Sequence, residues 1–237
     1  MKYFTKLFLP LFLTLDSASA NEQLMLIVSD DFNRTDAVLT RYENRGGSFK
    51  QIGDQLPVNI GRNGLAWGIG ESGLSPLAGE PVKREGDGRA PAGIFPVSKA
   101  FGYAAQIQTK MPYIQADKAL ICVDDSRSDD YNRILEINDS DDPKSFEWMR
   151  RDDDLYKIGL VIGHNSDEKK GAGSCIFFHI RKSEDAPTAG CSAMREEDLA
   201  AIIAWLDPAK NPKVVQIPRN YCPQVEKLYP GVSCPSE

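Results

Sequence analysis

The chain has 237 residues, 41% of them hydrophobic, enough for a genuine core in one large domain. Its net charge of −6 comes without any basic block, which argues against a nucleic-acid partner and against anchoring on anionic lipid. Cysteine occurs five times, an odd number, so if disulfides form, one thiol is left over as a candidate reactive group.

Residues 1–20 read as a secretory signal peptide. Lys2 and Lys6 give a positive start, Leu7 to Leu15 is an apolar run too short to span a bilayer, and Ala18-Ser19-Ala20 suits a cleavage site. The expectation is an exported protein of the periplasm or cell envelope, with no membrane anchor after cleavage. Residues 21–217 are expected to form a single domain, and 218–237 a tail. Cys222 and Cys234 bracket that tail, where a staple makes physical sense; Cys122 and Cys175 would then be left to pair, although four cysteines allow three pairings.

Leu24 to Val28 is a buried-strand candidate, with Ala37 to Tyr42 as its hairpin partner. Phe49 to Ile52 and Val58 to Ile60 continue a β-rich start, punctuated by Gly46-Gly47 and Pro57. Gly61 to Glu80 is glycine-rich and reads as loop. Gly93 to Val97 and Ala119 to Val123 are further strands. Leu155 to Gly163 and Ser174 to Ile180 are the most apolar strand candidates, an expected antiparallel pair at the centre of a sheet. Glu196 to Leu206 places Leu199, Ile202, Ile203 and Leu206 on one helical face, with three acids in the first turn to suit the helix dipole. Val214 to Ile217 closes the fold. The expected class is mainly β, a sandwich with few helices, one of them after Cys191.

The chemistry concentrates in Phe178-His179-Ile180, a polar loop, and Pro187-Thr188-Ala189-Gly190-Cys191-Ser192. A thiol needs a base to become a thiolate near neutral pH, and imidazole is suited to that work. Glycine beside the cysteine lets a substrate carbonyl approach the backbone and lets N–H groups turn toward a developing oxyanion. A core histidine with a structural cysteine is the blander reading of the same residues.

This segment resembles the catalytic signature of the L,D-transpeptidase (YkuD-like) family, in which a histidine precedes Ser/Thr-x-Gly-Cys by a loop of this length. A second match is Gly86-Asp87-Gly88-Arg89-Ala90-Pro91-Ala92-Gly93-Ile94-Phe95, which looks like the family's Thr-Pro-x-Gly-x-Phe strand entry with Ala90 in the threonine's place. The resemblance covers roughly 55–217, including Gly171 to Ser174 leading into the histidine strand. It implies an L,D-transpeptidase-like β-sandwich and a cysteine acyltransferase acting on peptidoglycan stem peptides. Cys191 would attack the donor carbonyl, D-alanine would leave with a proton from His179, and the thioester would pass to an amine. Ending on water instead gives an L,D-carboxypeptidase, and loss of catalysis gives a silent peptidoglycan-binding module. A papain-like protease is disfavoured, because its cysteine normally precedes its histidine.

The resemblance also implies that the backbone carbonyl of Ile180 orients the imidazole. Gly190, Cys191 and Ser192 supply the expected oxyanion N–H groups, with Thr188 lining the site. Ile180 and Ala189 stand where better-known members often carry glycine and histidine. Ala193 stands where they usually carry arginine, so Arg84, Arg89 or Arg181 is expected to meet the substrate carboxylate. His164 is a further candidate for the cleft. A metal held by His164, Cys175, His179 and Cys191 matches no common zinc spacing and would consume the nucleophile, so neither metal nor cofactor is expected. Asp124 to Arg133 reads as a solvated acidic loop, alternatively walling the cleft with Trp67. Arg150 to Asp154 reads as a charge-balanced surface turn. Nothing in the sequence sets the oligomeric state.

Overall fold

The computed structural model describes residues 21–137 and 143–236, so the expected leader at 1–20 lies outside the described residues. In chain order the strands are β1 (Gln23–Ser29), β2 (Asp36–Arg45), β3 (Ser48–Asn59), β4 (Leu65–Trp67), β5 (Ala90–Gly102), β6 (Tyr113–Gln115) and β7 (Leu120–Val123). They continue with β8 (Ile134–Glu136), β9 (Phe146–Trp148), β10 (Ile158–Ile162), β11 (Phe177–Ile180), β12 (Ser192–Met194) and β13 (Lys213–Pro218). Helix α1 (Glu196–Trp205) follows β12, and α2 (Cys222–Leu228) follows β13. The protein is mainly β with few helices.

Eight strands close on themselves in the order β10-β11-β12-β3-β2-β1-β13-β5, with β5 returning to β10. β1 is buried along its whole length, which is why Leu24 to Val28 reads as an unbroken apolar run rather than an alternating one. It lies antiparallel to β2, with Leu26 opposite Thr40, and parallel to β13, with Leu26 opposite Val215. The sheet therefore begins well before residue 55. Two segments expected to be separate join into β3, which runs through Pro57; a register shift between Leu39 and Arg41 of β2 absorbs the irregularity. The glycine-rich stretch expected as loop contains β4, paired parallel to β5 at Ala90 to Ala92.

Helix α1 lies against β10 and β11, and its buried Leu199, Ile202 and Ile203 join the main core. The tail has more structure than its composition indicates. A disulfide joins Cys222 to Cys234, Val225 of α2 is buried in the main core, and the Tyr42 hydroxyl donates to the Ser233 carbonyl at 2.5 Å.

A second, smaller sheet, in the order β8-β7-β9, stands against the outside of the closed ring. Between them lies a separate cluster that includes Phe101, Cys122, Met149, Tyr156, Phe177 and Cys191. A disulfide from Cys122 of β7 to Cys175, just ahead of β11, fastens this sheet to the ring across 53 residues of chain. In the chain-entropy picture a loop of that size contributes about 4 kcal/mol.

Candidate active site

Strand alternation sorts the residues of β11. Phe178 and Ile180 point into the main core, while Phe177 and His179 face the small sheet. β12 runs parallel beside β11 with Ala193 opposite His179, so Cys191, one alternation earlier, shares the face of the imidazole. Both side chains line one cleft of about 390 Å³, together with Thr188, Gly190 and Ala193.

The tautomer of His179 follows from its partner. Nδ1 lies 2.8 Å from the carbonyl oxygen of Ile180, which can only accept, so Nδ1 carries the proton and Nε2 is left as the basic nitrogen. Burial lowers the imidazole's pKa, and the Arg151 charge lowers it further against the pull of the Ile180 carbonyl and Asp153. The ring is therefore neutral at pH 7, the state a base requires.

Cys191 is the one cysteine of the five outside the two disulfides. Its Sγ accepts from the Phe177 N–H at 3.3 Å and donates to the Cys175 carbonyl at 3.4 Å. Cys175 itself holds a left-handed φ of 55°, its N–H taken by Asn132 Oδ1 at 2.9 Å, so that carbonyl is fixed in its aim at the thiol. Burial pushes the thiol up to about 12, with the Glu147 carboxylate next in effect; the Phe177 N–H, Lys83 and Tyr156 oppose them. The resting group is a thiol. Among the described residues no hydrogen bond joins it to His179, and such contacts commonly tighten only when substrate arrives.

The turn before the cysteine is held by Thr188. Its Oγ1 donates to the Cys191 carbonyl at 2.6 Å and accepts the Gly190 N–H at 3.1 Å. That second bond takes Gly190 N–H away from the expected oxyanion donors. Gly190 has a φ of 154°, and a Cβ there would sit 3.1 Å from the Arg89 carbonyl, so a side chain meets both strain and backbone. Ser192 turns from the cleft and donates to Gln216 Oε1 at 2.7 Å, a buried structural contact.

Four expected residues, Arg84, Arg89, Arg181 and His164, are not brought to this cleft. Arg89 donates to the carbonyls of Phe32 and Leu65 at 2.9 and 2.8 Å, which ties the β4 region to the loop after β1. Neither its side chain nor that of Arg84 lines the cleft wall, and Arg181 is likewise absent from it. His164 accepts from the Ile69 N–H at 3.2 Å and faces the Ala172 carbonyl at 3.0 Å through Nε2, so both nitrogens are occupied by backbone. The physical reason is the antiparallel pairing of β10 and β11, with Gly159 opposite His179 and Val161 opposite Phe177. Being neighbours in the sheet puts His164 at the far end from His179.

Other charges occupy the cleft instead. Arg151 lies over the Tyr156 ring at 5.2 Å and lines the wall with Arg62, Lys83 and Lys182. Glu85, Asp124 and Glu147 face them, and Asp124 Oδ1 is buried without a hydrogen-bond partner among the described residues. Trp67 is elsewhere, its Nε1 donating to Glu80 at 2.7 Å. Arg151 sits in the charged cluster expected to be a surface turn. Glu147 leaves no signal in the sequence, since it reaches the site only through the docking of the small sheet. Tyr156 lies within the expected Leu155 to Gly163 strand and is carried by the ring, where the Leu155 carbonyl accepts the Ile180 N–H at 3.0 Å. Among the described residues no three metal-ligating side chains converge. No family model, no curated protein and no solved structure matches the chain.

Proposed function

We propose that the protein is a cysteine acyltransferase of the L,D-transpeptidase type, with Cys191 as nucleophile and His179 as its base. The observation that carries this reading is the Nδ1–H bond from His179 to the Ile180 carbonyl, on the same cleft face as the one cysteine outside the disulfides. An imidazole serving only as core filler has no need to leave Nε2 toward a thiol-bearing cleft. The architecture, a closed eight-strand ring with a helix directly after the cysteine strand, fits the mainly β class that the sequence motifs imply.

In this reading the stem-peptide carbonyl enters beside Sγ. Cys191 loses its proton to Nε2 of His179 as the C–S bond forms, and the imidazolium returns that proton to the departing D-alanine amine. The Ile180 carbonyl stabilises the imidazolium as a triad's third member does. With Gly190 N–H committed to Thr188, the amides of Cys191 and Ser192 are the oxyanion donors left of the expected set. Arg151, Lys182 and Arg62 replace the missing arginine as partners for a substrate carboxylate. The two disulfides favour an oxidising compartment, which fits an exported enzyme working in the periplasm or envelope on peptidoglycan.

The acyl group then passes to an amine, or to water if the protein is an L,D-carboxypeptidase. A donor tetrapeptide muropeptide incubated with rising concentrations of a D-amino acid or a second stem peptide separates these. Exchanged or cross-linked products that grow with acceptor support transfer. Tripeptide alone at every concentration means hydrolysis, and binding without any product means a silent peptidoglycan-binding module.

A further inference from the structure

Tyr156 and Glu147 are placed against the thiol by two different elements, and nothing in the acyl-transfer scheme above uses them. Tyr156 follows the β9 turn and is buried; its ring lies 5.3 Å from that of His179 and packs against Phe177 at 5.7 Å. Its hydroxyl donates to Glu147 Oε2 at 2.7 Å, and Tyr156 shares both the small core cluster and the cleft wall with Cys191. Glu147 belongs to β9, opposite Cys122 of β7, so the small sheet carries this carboxylate into the cleft.

We propose that Tyr156 and Glu147 form a positioning pair that controls how readily Cys191 gives its proton to His179. The phenol has one proton to donate. While Glu147 is an anion it holds that proton, and its own charge opposes a second negative charge on the neighbouring sulfur. When Glu147 is neutral, by protonation or by a bound cation, the phenol is released to donate to the thiolate. The Sγ proton goes to Nε2 in either case, and the phenol keeps its own. Glu147 is tuned for such a role: burial raises its pKa, the Tyr156 bond lowers it, and the charges of Asp124 and Glu85 raise it again. Arg151 is the cation facing the pair from beyond β9, and Lys83 the one facing the thiol from the loop before β5.

The inference rests on Cys191 as nucleophile, not on peptidoglycan as its substrate, so a small neutral electrophile tests it directly. Iodoacetamide alkylation of Cys191, followed by intact mass across pH, reports the thiol's apparent pKa in the full mature chain. Glu147→Gln is expected to lower that pKa by about one unit, roughly tenfold in rate where the thiol is mostly protonated. Tyr156→Phe is expected to raise it, and Glu147→Asp, which returns the charge, to bring the profile back toward wild type. Circular dichroism and retention of both disulfides check that each variant folds. Profiles for Glu147→Gln that overlay wild type overturn the proposal, as does an equal shift in the Gln and Asp variants, which would mark a packing effect. A wild-type thiol inert at every pH overturns the nucleophile reading along with it.

Discussion

The two histidines are both buried, yet their surroundings differ. His164, at the end of β10, is 2% exposed and has a backbone partner on each ring nitrogen. Burial drives its pKa down to about 4. His179, at the end of β11, is nearly as buried but has a single partner among the described residues, on Nδ1, and lines the cleft. Burial alone therefore says little about role. What distinguishes the two is the count of satisfied nitrogens and the face of the strand each occupies.

Substitution at these positions should break the comparison most visibly. His179→Ala is expected to cut acylation of Cys191 by ~10²- to 10⁴-fold while the thermal transition stays cooperative. Rates measured per folded molecule check it; unfolding with a near-normal residual rate would return His179 to the core.

The disulfide from Cys122 to Cys175 lies between the two regions, and its removal should loosen only one of them. The double variant Cys122→Ser, Cys175→Ser is expected to lose about 4 kcal/mol by denaturant titration. Amide exchange should rise first in the small sheet and at Phe177, not at β1 or β13. Uniform exchange across the ring would mean that the two cores are not separable.

His164 sharpens the contrast through pH. Its folded pKa of about 4 lies below the ordinary 6.5, so the unfolded chain binds the extra proton first as pH falls. The stabilisation is complete above pH 6.5 and is lost as pH drops through 4, a swing of about 3 kcal/mol. Stability of wild type should therefore fall across that window, and a His164→Asn variant should show a flatter profile. An identical slope in both would contradict the assignment.

Thr188→Val gives the smallest effect. It removes a hydroxyl that holds both the Cys191 carbonyl and the Gly190 N–H, at a cost of about 1–3 kcal/mol in stability. Alkylation of Cys191 should slow only a few-fold, since neither the base nor the thiol is touched.

Much of the ring was readable because its residues obey one rule at a time. The unbroken apolar run of β1, the pair of β10 and β11, and the acid-led helix α1 each follow from local pattern. That His179 and Cys191 would meet in one cleft was legible too, since both lie within a short stretch of chain. Their neighbours were not. Glu147 and Arg151 reach the cleft of Cys191 through the docking of the small sheet, held by a disulfide, a long-range event with no local period. The helix α2 escaped for the same reason: its stability comes from Val225 in a distant core and from Cys234, not from its seven-residue sequence.

The central claim is that Cys191, deprotonated by His179, takes the acyl group. The direct measurement is intact mass and peptide mapping of the mature protein after brief reaction with a tetrapeptide muropeptide. The account predicts an adduct of the donor less D-alanine, labile to hydroxylamine as a thioester is, on Cys191 alone, and absent from Cys191→Ser and His179→Ala. Free D-alanine released with no adduct on Cys191, or at an undiminished rate by Cys191→Ser, would contradict it.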